Sequence, residues 1–176
     1  MASHVGFAMP ARVSHPARGS RSTKLQIDYD HPDAVALRES LQRFYVERYG
    51  GPDNAPEDPD EFRPPRGACF VGYLDGRPVA AGAWHSVGVD RLGTTRTAEF
   101  KRVHVIPEAR RRGLARRMMS ELEITARKAG YEAAVLSTGL RQYESIAMYE
   151  QLGYARIEGF GHYADDDIVI FFGRRL

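Results

Sequence analysis

One stretch constrains this chain more than any other. Arg110-Arg111-Arg112-Gly113-Leu114-Ala115 sits between a strand-like run ending at Pro107 and an amphipathic helix that begins near Gly113. A strand turning through glycine into a helix builds an anion site at the junction. The first helical turn leaves backbone N–H groups without intrahelical partners, the aligned peptide dipoles place partial positive charge there, and glycine admits close approach of a phosphate. Three arginines strengthen that field.

Composition limits what the anion site serves. A length of 176 residues, 43% of them hydrophobic, suits one domain with one core. A net charge of only +2 excludes the strongly basic character of nucleic-acid binders, so anion binding is local. The lone Cys69 cannot form an intramolecular disulfide, and no Cys or His spacing suggests a metal, which fits a reducing, cytoplasmic setting. The sequence shows neither a membrane-length apolar run nor a secretory signal. Residues 1–22 carry Arg12, Arg18 and Arg21 with no acid and with scattered Gly, Pro and Ser. They are expected to be a disordered arm, leaving 23–176 as the folded domain.

A strand is predicted around Lys24 to Tyr29, followed by a helix from Pro32 with Val35, Leu37, Leu41, Phe44, Tyr45 and Tyr49 at helical spacing, stopped by Gly50-Gly51. Five prolines and many acids in 51–67 predict a long loop or a short helical turn, either a connector or a substrate wall. Ala68–Leu74 and Arg77–Ser86 form a hairpin through Asp75-Gly76. Thr94–Ile106 is a third strand, whose alternation places Glu99, Lys101, Val103 and Val105 on one face and Phe100, Arg102, His104 and Ile106 on the other. The helix after the glycine turn carries an apolar stripe of Leu114, Met118, Leu122, Thr125, Ala126 and Ala129, ended by Gly130. A strand at Ala133–Ser137, a helix over Gln142–Leu152, and strands from Tyr154 and over Ile168–Phe172 complete an α/β sheet of mixed direction. The turn lies at the C-terminal end of a central strand, where such sheets bind ligands.

Spacing separates the phosphate-binding possibilities. The turn lacks the Gly-Lys-Ser/Thr of a nucleotide-hydrolysing loop and the three glycines of a dinucleotide fingerprint. It does match Arg/Gln-x-x-Gly-x-Gly/Ala, as Arg110, Gly113 and Ala115, after Val103-His104-Val105-Ile106-Pro107. Farther on, Gln142-Tyr143-Glu144-Ser145-Ile146-Ala147-Met148-Tyr149-Glu150-Gln151-Leu152-Gly153-Tyr154 follows an Asn-x-x-Ala-x-x-x-Tyr-x-x-x-Gly-Phe/Tyr pattern, with Gln142 and Ser145 as mild departures. Together these segments resemble the GNAT superfamily of N-acetyltransferases, closely over about residues 68 to 160. The resemblance implies a GNAT-like fold: one mixed sheet of about six to seven strands flanked by helices, with a splay between two central strands.

The resemblance also implies chemistry. Acetyl-CoA would lie along Val103, His104 and Val105. Its pyrophosphate would be held by the turn and helix start from Arg110, Arg111 and Arg112 through Gly113, Leu114, Ala115 and Arg116, with Gln142 and Tyr149 completing the site. Tyr149 corresponds to the general acid that protonates the leaving thiolate, and Glu99 to a general base. The Val105 N–H would polarise the acetyl carbonyl. No metal is required. The expected activity is direct acetyl transfer to a primary amine of a small molecule or peptide, with neither nucleic acid nor membrane as partner and a homodimer compatible with the fold. The alternative is a non-catalytic acyl-CoA sensor. Asp165-Asp166-Asp167 reads as a solvated acidic turn that can border the acceptor pocket, and Cys69 as buried packing.

Overall fold

The computed structural model describes residues 21–176. The arm expected over 1–22 therefore lies outside the described residues except for its last two, and Ser22 opens the first strand. Among the described residues, seven strands form one sheet: β1 (Ser22–Ile27), β2 (Gly67–Leu74), β3 (Arg77–Ser86), β4 (Thr97–Val105), β5 (Ala133–Gly139), β6 (Ala155–Arg156) and β7 (Val169–Arg175). Their spatial order is β1-β2-β3-β4-β5-β7-β6, antiparallel except for β4 and β5, as the mixed sheet predicted. The β2–β3 hairpin turns through Asp75 and Gly76, both at positive φ, the backbone a two-residue turn requires.

The α-helices of the described residues, α1 (Pro32–Tyr49), α2 (Leu114–Lys128) and α3 (Tyr143–Gln151), cover the sheet. Neighbouring residues of β3 show which face each takes. Trp84 donates its indole N–H to Thr125 of α2, and Gly82 faces Met118 of the same helix. Ala81 and His85 point the opposite way, toward α1. α3 shares the α2 side, since Tyr149 packs on Phe172 and Arg174 of the same strand reaches Glu123 of α2. The apolar stripe of α2 buries Leu114, Met118, Leu122 and Ala126; Ala129, expected to continue it, is the exposed C-cap. No described helix is long and apolar enough to cross a membrane.

The sheet is divided by one short pairing. β4 meets β5 only over Thr97, Ala98 and Glu99, opposite Ala133, Ala134 and Val135. Beyond Glu99, β4 stays with β3 to Val105, while β5 stays with β7 to Gly139. The two central strands thus diverge, opening the expected splay.

Candidate active site

A bulge in β4 decides which side chains meet in that gap. Lys101 pairs with Ala83 but His104 with Ala81, so Arg102 and Val103 together oppose Gly82, and Arg102 takes φ +58°. Strict alternation, expected from the sequence, fails here. Glu99 and Lys101 lie on the α1 face before the bulge, Arg102 joins them, and His104 returns to that face, whereas Val105 turns to the α2 face. Glu99 and Val105 therefore do not share a face, and His104 and Glu99 do. The His104 ring bonds Ser40 of α1 at 3.1 Å. Burial, with Arg110 and Arg43 nearby, pushes its pKa down to about 4, so it is neutral near pH 7.

The backbone of β4 follows the same phase. The Ile106 amide donates to the Val79 carbonyl at 3.0 Å, so the N–H of Val105, one residue back, turns away from β3 into the gap. His104 pairs with Ala81 and spends its backbone groups on β3. The Val105 carbonyl accepts from Arg110 Nε at 3.1 Å, which ties the arginine turn to the open strand edge.

That turn is built as the sequence suggested. Arg111 and Gly113 adopt φ +61° and +74°, and α2 starts at Leu114 with no side-chain cap and no acid in its first turn. Its first intrahelical bond runs from the Arg117 amide to the Gly113 carbonyl, leaving the Leu114, Ala115 and Arg116 amides ahead of the ladder. A Cβ on Gly113 would meet nothing within 4 Å, so the space above the turn is open. Arg111 and Arg112 are exposed and, among the described residues, form no ion pair. Cations at a helix N-terminus oppose the dipole at a cost of up to about 1 kcal/mol each, so the arrangement suits an anion such as a pyrophosphate.

A cavity of about 440 Å³ passes through the splay. Glu99 and Arg102 line it from the α1 face, together with Tyr45 of α1, while Gln142, Ser145 and Tyr149 line it from α3. Tyr149 is buried, its ring 5.8 Å from that of Phe172, and burial, then the neighbouring Tyr45, holds its hydroxyl protonated well above the usual phenol range. The rival tyrosines are used elsewhere. Tyr143 is 70% exposed, and Tyr154 bonds Glu123 in the core. Gln142 caps α3 without a side-chain cap bond.

Glu99 is not paired with Lys101 or Arg102. Its carboxylate meets His85 Nε2 at 2.9 Å, and its side chain is 14% exposed. Arg102, with a 6% exposed side chain, instead binds Asp53 at 2.5 Å and Glu57 at 2.6 Å, both on the 51–67 loop. Asp53 also accepts from Tyr163 at 2.5 Å, and Glu57 from Tyr29 at 2.5 Å. Burial alone would raise the Asp53 carboxyl, but Arg102, Tyr163 and the Ala55 amide outweigh it and hold it below the ordinary value. This clamp makes the proline-rich loop a wall of the cavity. Sequence reading did not find it, since Arg102 lies 49 residues from Asp53 and the bulge that aims it leaves no mark in the alternation. Asp166 borders the cavity while capping the Ile168 amide, and Cys69 is buried in β2, its thiol pushed up to about 11 by burial.

Comparison with known proteins agrees with this architecture. The profile of the acetyltransferase (GNAT) family matches residues 34–154, and the chain belongs to that family. It is 32% identical over 142 residues to an IAA acetyltransferase of Azospirillum brasilense, covering 81% of this chain and 90% of the relative. A candidate acyl-CoA N-acyltransferase from Klebsiella pneumoniae has the same fold, with TM-score 0.70 and 24% identity over 88% of this chain and 97% of that one. A Salmonella typhimurium protein, yncA, solved with its cofactor acetyl-CoA, superposes with TM-score 0.65 at 19% identity, covering 88% and 94% of the two chains.

Proposed function

We propose that this protein is an acetyl-CoA-dependent N-acetyltransferase that passes the acetyl group directly to a primary amine. One observation carries the reading: a single cavity through the sheet joins a carboxylate on one face, Glu99, to a protonated phenol on the other, Tyr149, beside the free edge of β4. Bound acetyl-CoA supplies an activated thioester. The chain's own residues do the rest. The helix-start amides and the arginines of the turn bind the pyrophosphate, and the Val105 N–H polarises the carbonyl in the gap.

An amine with a lysine-like pKa is protonated at neutral pH, and freeing its lone pair costs roughly 4 to 5 kcal/mol at pH 7. Glu99 takes up that proton on the α1 face, Tyr149 gives one to the sulfur as the C–S bond breaks, and the second proton shed by the newly acylated nitrogen restores the phenol. The lone, buried Cys69 and the absence of a membrane-length helix among the described residues suit a reducing, cytoplasmic setting. The relatives' names differ in acceptor, from IAA acetyltransferase to a ribosomal-protein-S18-alanine N-acetyltransferase of Escherichia coli. The acceptor is therefore sought broadly.

The test is acetyl-CoA consumption with spermidine, free amino acids, an amine antibiotic, and peptides bearing a free N-terminus or lysine, followed by mass analysis of the product. Tyr149→Phe should lower kcat by about 10²-fold with coenzyme affinity unchanged. Acetyl-CoA that binds tightly but is consumed with no amine would instead identify a sensor.

A further inference from the structure

We propose that His85 is a positioning residue for the base: it holds one carboxylate oxygen of Glu99 and leaves the other free for the incoming amine. This rests on the reading of Glu99 as the base. The β3–β4 register sets His85 directly opposite Glu99, with Nε2 2.9 Å from Oε2. An ionised carboxylate only accepts, so Nε2 carries the proton in this bond.

The imidazole is itself fixed from behind. Its side chain is 12% exposed, its ring centroid lies 5.0 Å from that of Phe62, and Phe62 stacks on Tyr29 at 4.1 Å. Nδ1 is buried, without a hydrogen-bond partner among the described residues, and stands 3.5 Å from the Glu61 carboxylate. Glu61 and Phe62 belong to a 3-10 turn at Pro59–Phe62. It closes over the end of β3 because residue 67 is glycine: a Cβ there would lie 2.1 Å from the Glu61 carbonyl oxygen.

The local cations make this assignment specific. Lys101 and Arg102, the charged neighbours of Glu99 on β4, are drawn to Glu57 and Asp53. What remains for Glu99 is an imidazole N–H, which fixes the orientation of the carboxylate.

The test pairs His85→Leu, which removes the donor, with His85→Gln, whose amide N–H reaches a similar position. The assay uses acetyl-CoA with the most rapidly acetylated amine of the panel. His85→Leu is expected to lower kcat about tenfold, part of the roughly 10²-fold loss expected for Glu99→Gln, with KM for acetyl-CoA unmoved. His85→Gln should recover most of that loss, which a purely structural role for the ring does not predict. An acceptor-free measurement accompanies it: the Nε2–H proton of His85 should be visible by NMR as slowly exchanging, and should be lost in Glu99→Leu.

A wild-type protein with no protected Nε2–H, or a His85→Leu variant with normal kcat, would overturn the proposal. So would a His85→Gln variant no better than His85→Leu. If Glu99→Gln itself keeps full kcat, the base reading fails and the positioning role falls with it. If Glu99→Gln is impaired while both His85 variants are normal, the base stands and only the positioning role fails.

Discussion

Two arginine sites within ten residues of each other handle charge in opposite ways. Arg102 is buried and met by two carboxylates, which also accept from Tyr163 and Tyr29, so that every charge is answered within the chain. Arg111 and Arg112 stand in solvent at a helix start without an acid in its first turn. The first arrangement is a wall: its charges are consumed in holding the 51–67 loop against the cavity. The second is the receptor in the proposed function, because its arginine side chains and its helix-start amides meet no partner among the described residues. The same side chain thus has its charge answered or left open according to whether the fold supplies a counter-charge.

The contrast is sharpest in stability. Arg102→Ala leaves two largely buried carboxylates facing each other and should destabilise the protein by about 4 kcal/mol, seen as a lower urea midpoint. Coenzyme affinity in the folded variant should be unchanged; a neutral effect on stability would mean that the clamp is ornamental.

His104 reports on the cationic side of the same strand. Its folded value lies near 4, below the 6.5 of an ordinary histidine, so the unfolded chain takes up the proton first as pH falls. Its contribution is therefore complete above about pH 6.5 and is lost on descending to about pH 4, up to about 3 kcal/mol in all. His104→Gln should flatten that part of the stability–pH curve, and an unaltered slope would remove His104 as its source.

For the exposed pair the expectation reverses. The double change Arg111→Ala and Arg112→Ala should weaken coenzyme binding about tenfold and reduce its salt dependence, while the melting temperature stays level or rises slightly. Calorimetry showing normal affinity would break the comparison. The smallest effect is at Gly113→Ala. Positive φ should cost about 1 kcal/mol of stability, and the added methyl should hinder pyrophosphate approach. Larger side chains there should weaken coenzyme binding further.

Features specified by neighbouring residues were legible in the sequence. Asp75-Gly76 marks its hairpin, and the Gly113 turn announces a strand-to-helix junction, whereas Tyr149 stands out only through the resemblance of residues 142–154 to the family's motif. What depends on distant partners was not. His85 and Glu99 meet because of register across two strands, and Arg102 finds Asp53 and Glu57 across more than forty residues of chain. The facing of β4 was misread for a related reason, since a one-residue bulge leaves hydrophobic alternation nearly intact while reversing its meaning beyond that point. Thr94, expected inside the same strand, forms an isolated bridge with Arg91 instead.

The bulge at Arg102 also makes the distance from Glu99 to Val105 a matter of counting. Deleting Arg102 itself would leave Val103 alone opposite Gly82, so both halves of β4 could keep their partners on β3 and only the clamp would be lost. A deletion that keeps the bulge shifts one half instead: if the Thr97–Glu99 pairing held, the strand edge beyond would present a different amide to the gap; if the edge held, Ala98 would take the place of Glu99. In this segment chain length carries information of its own, and a tolerated substitution and a tolerated deletion are separate questions.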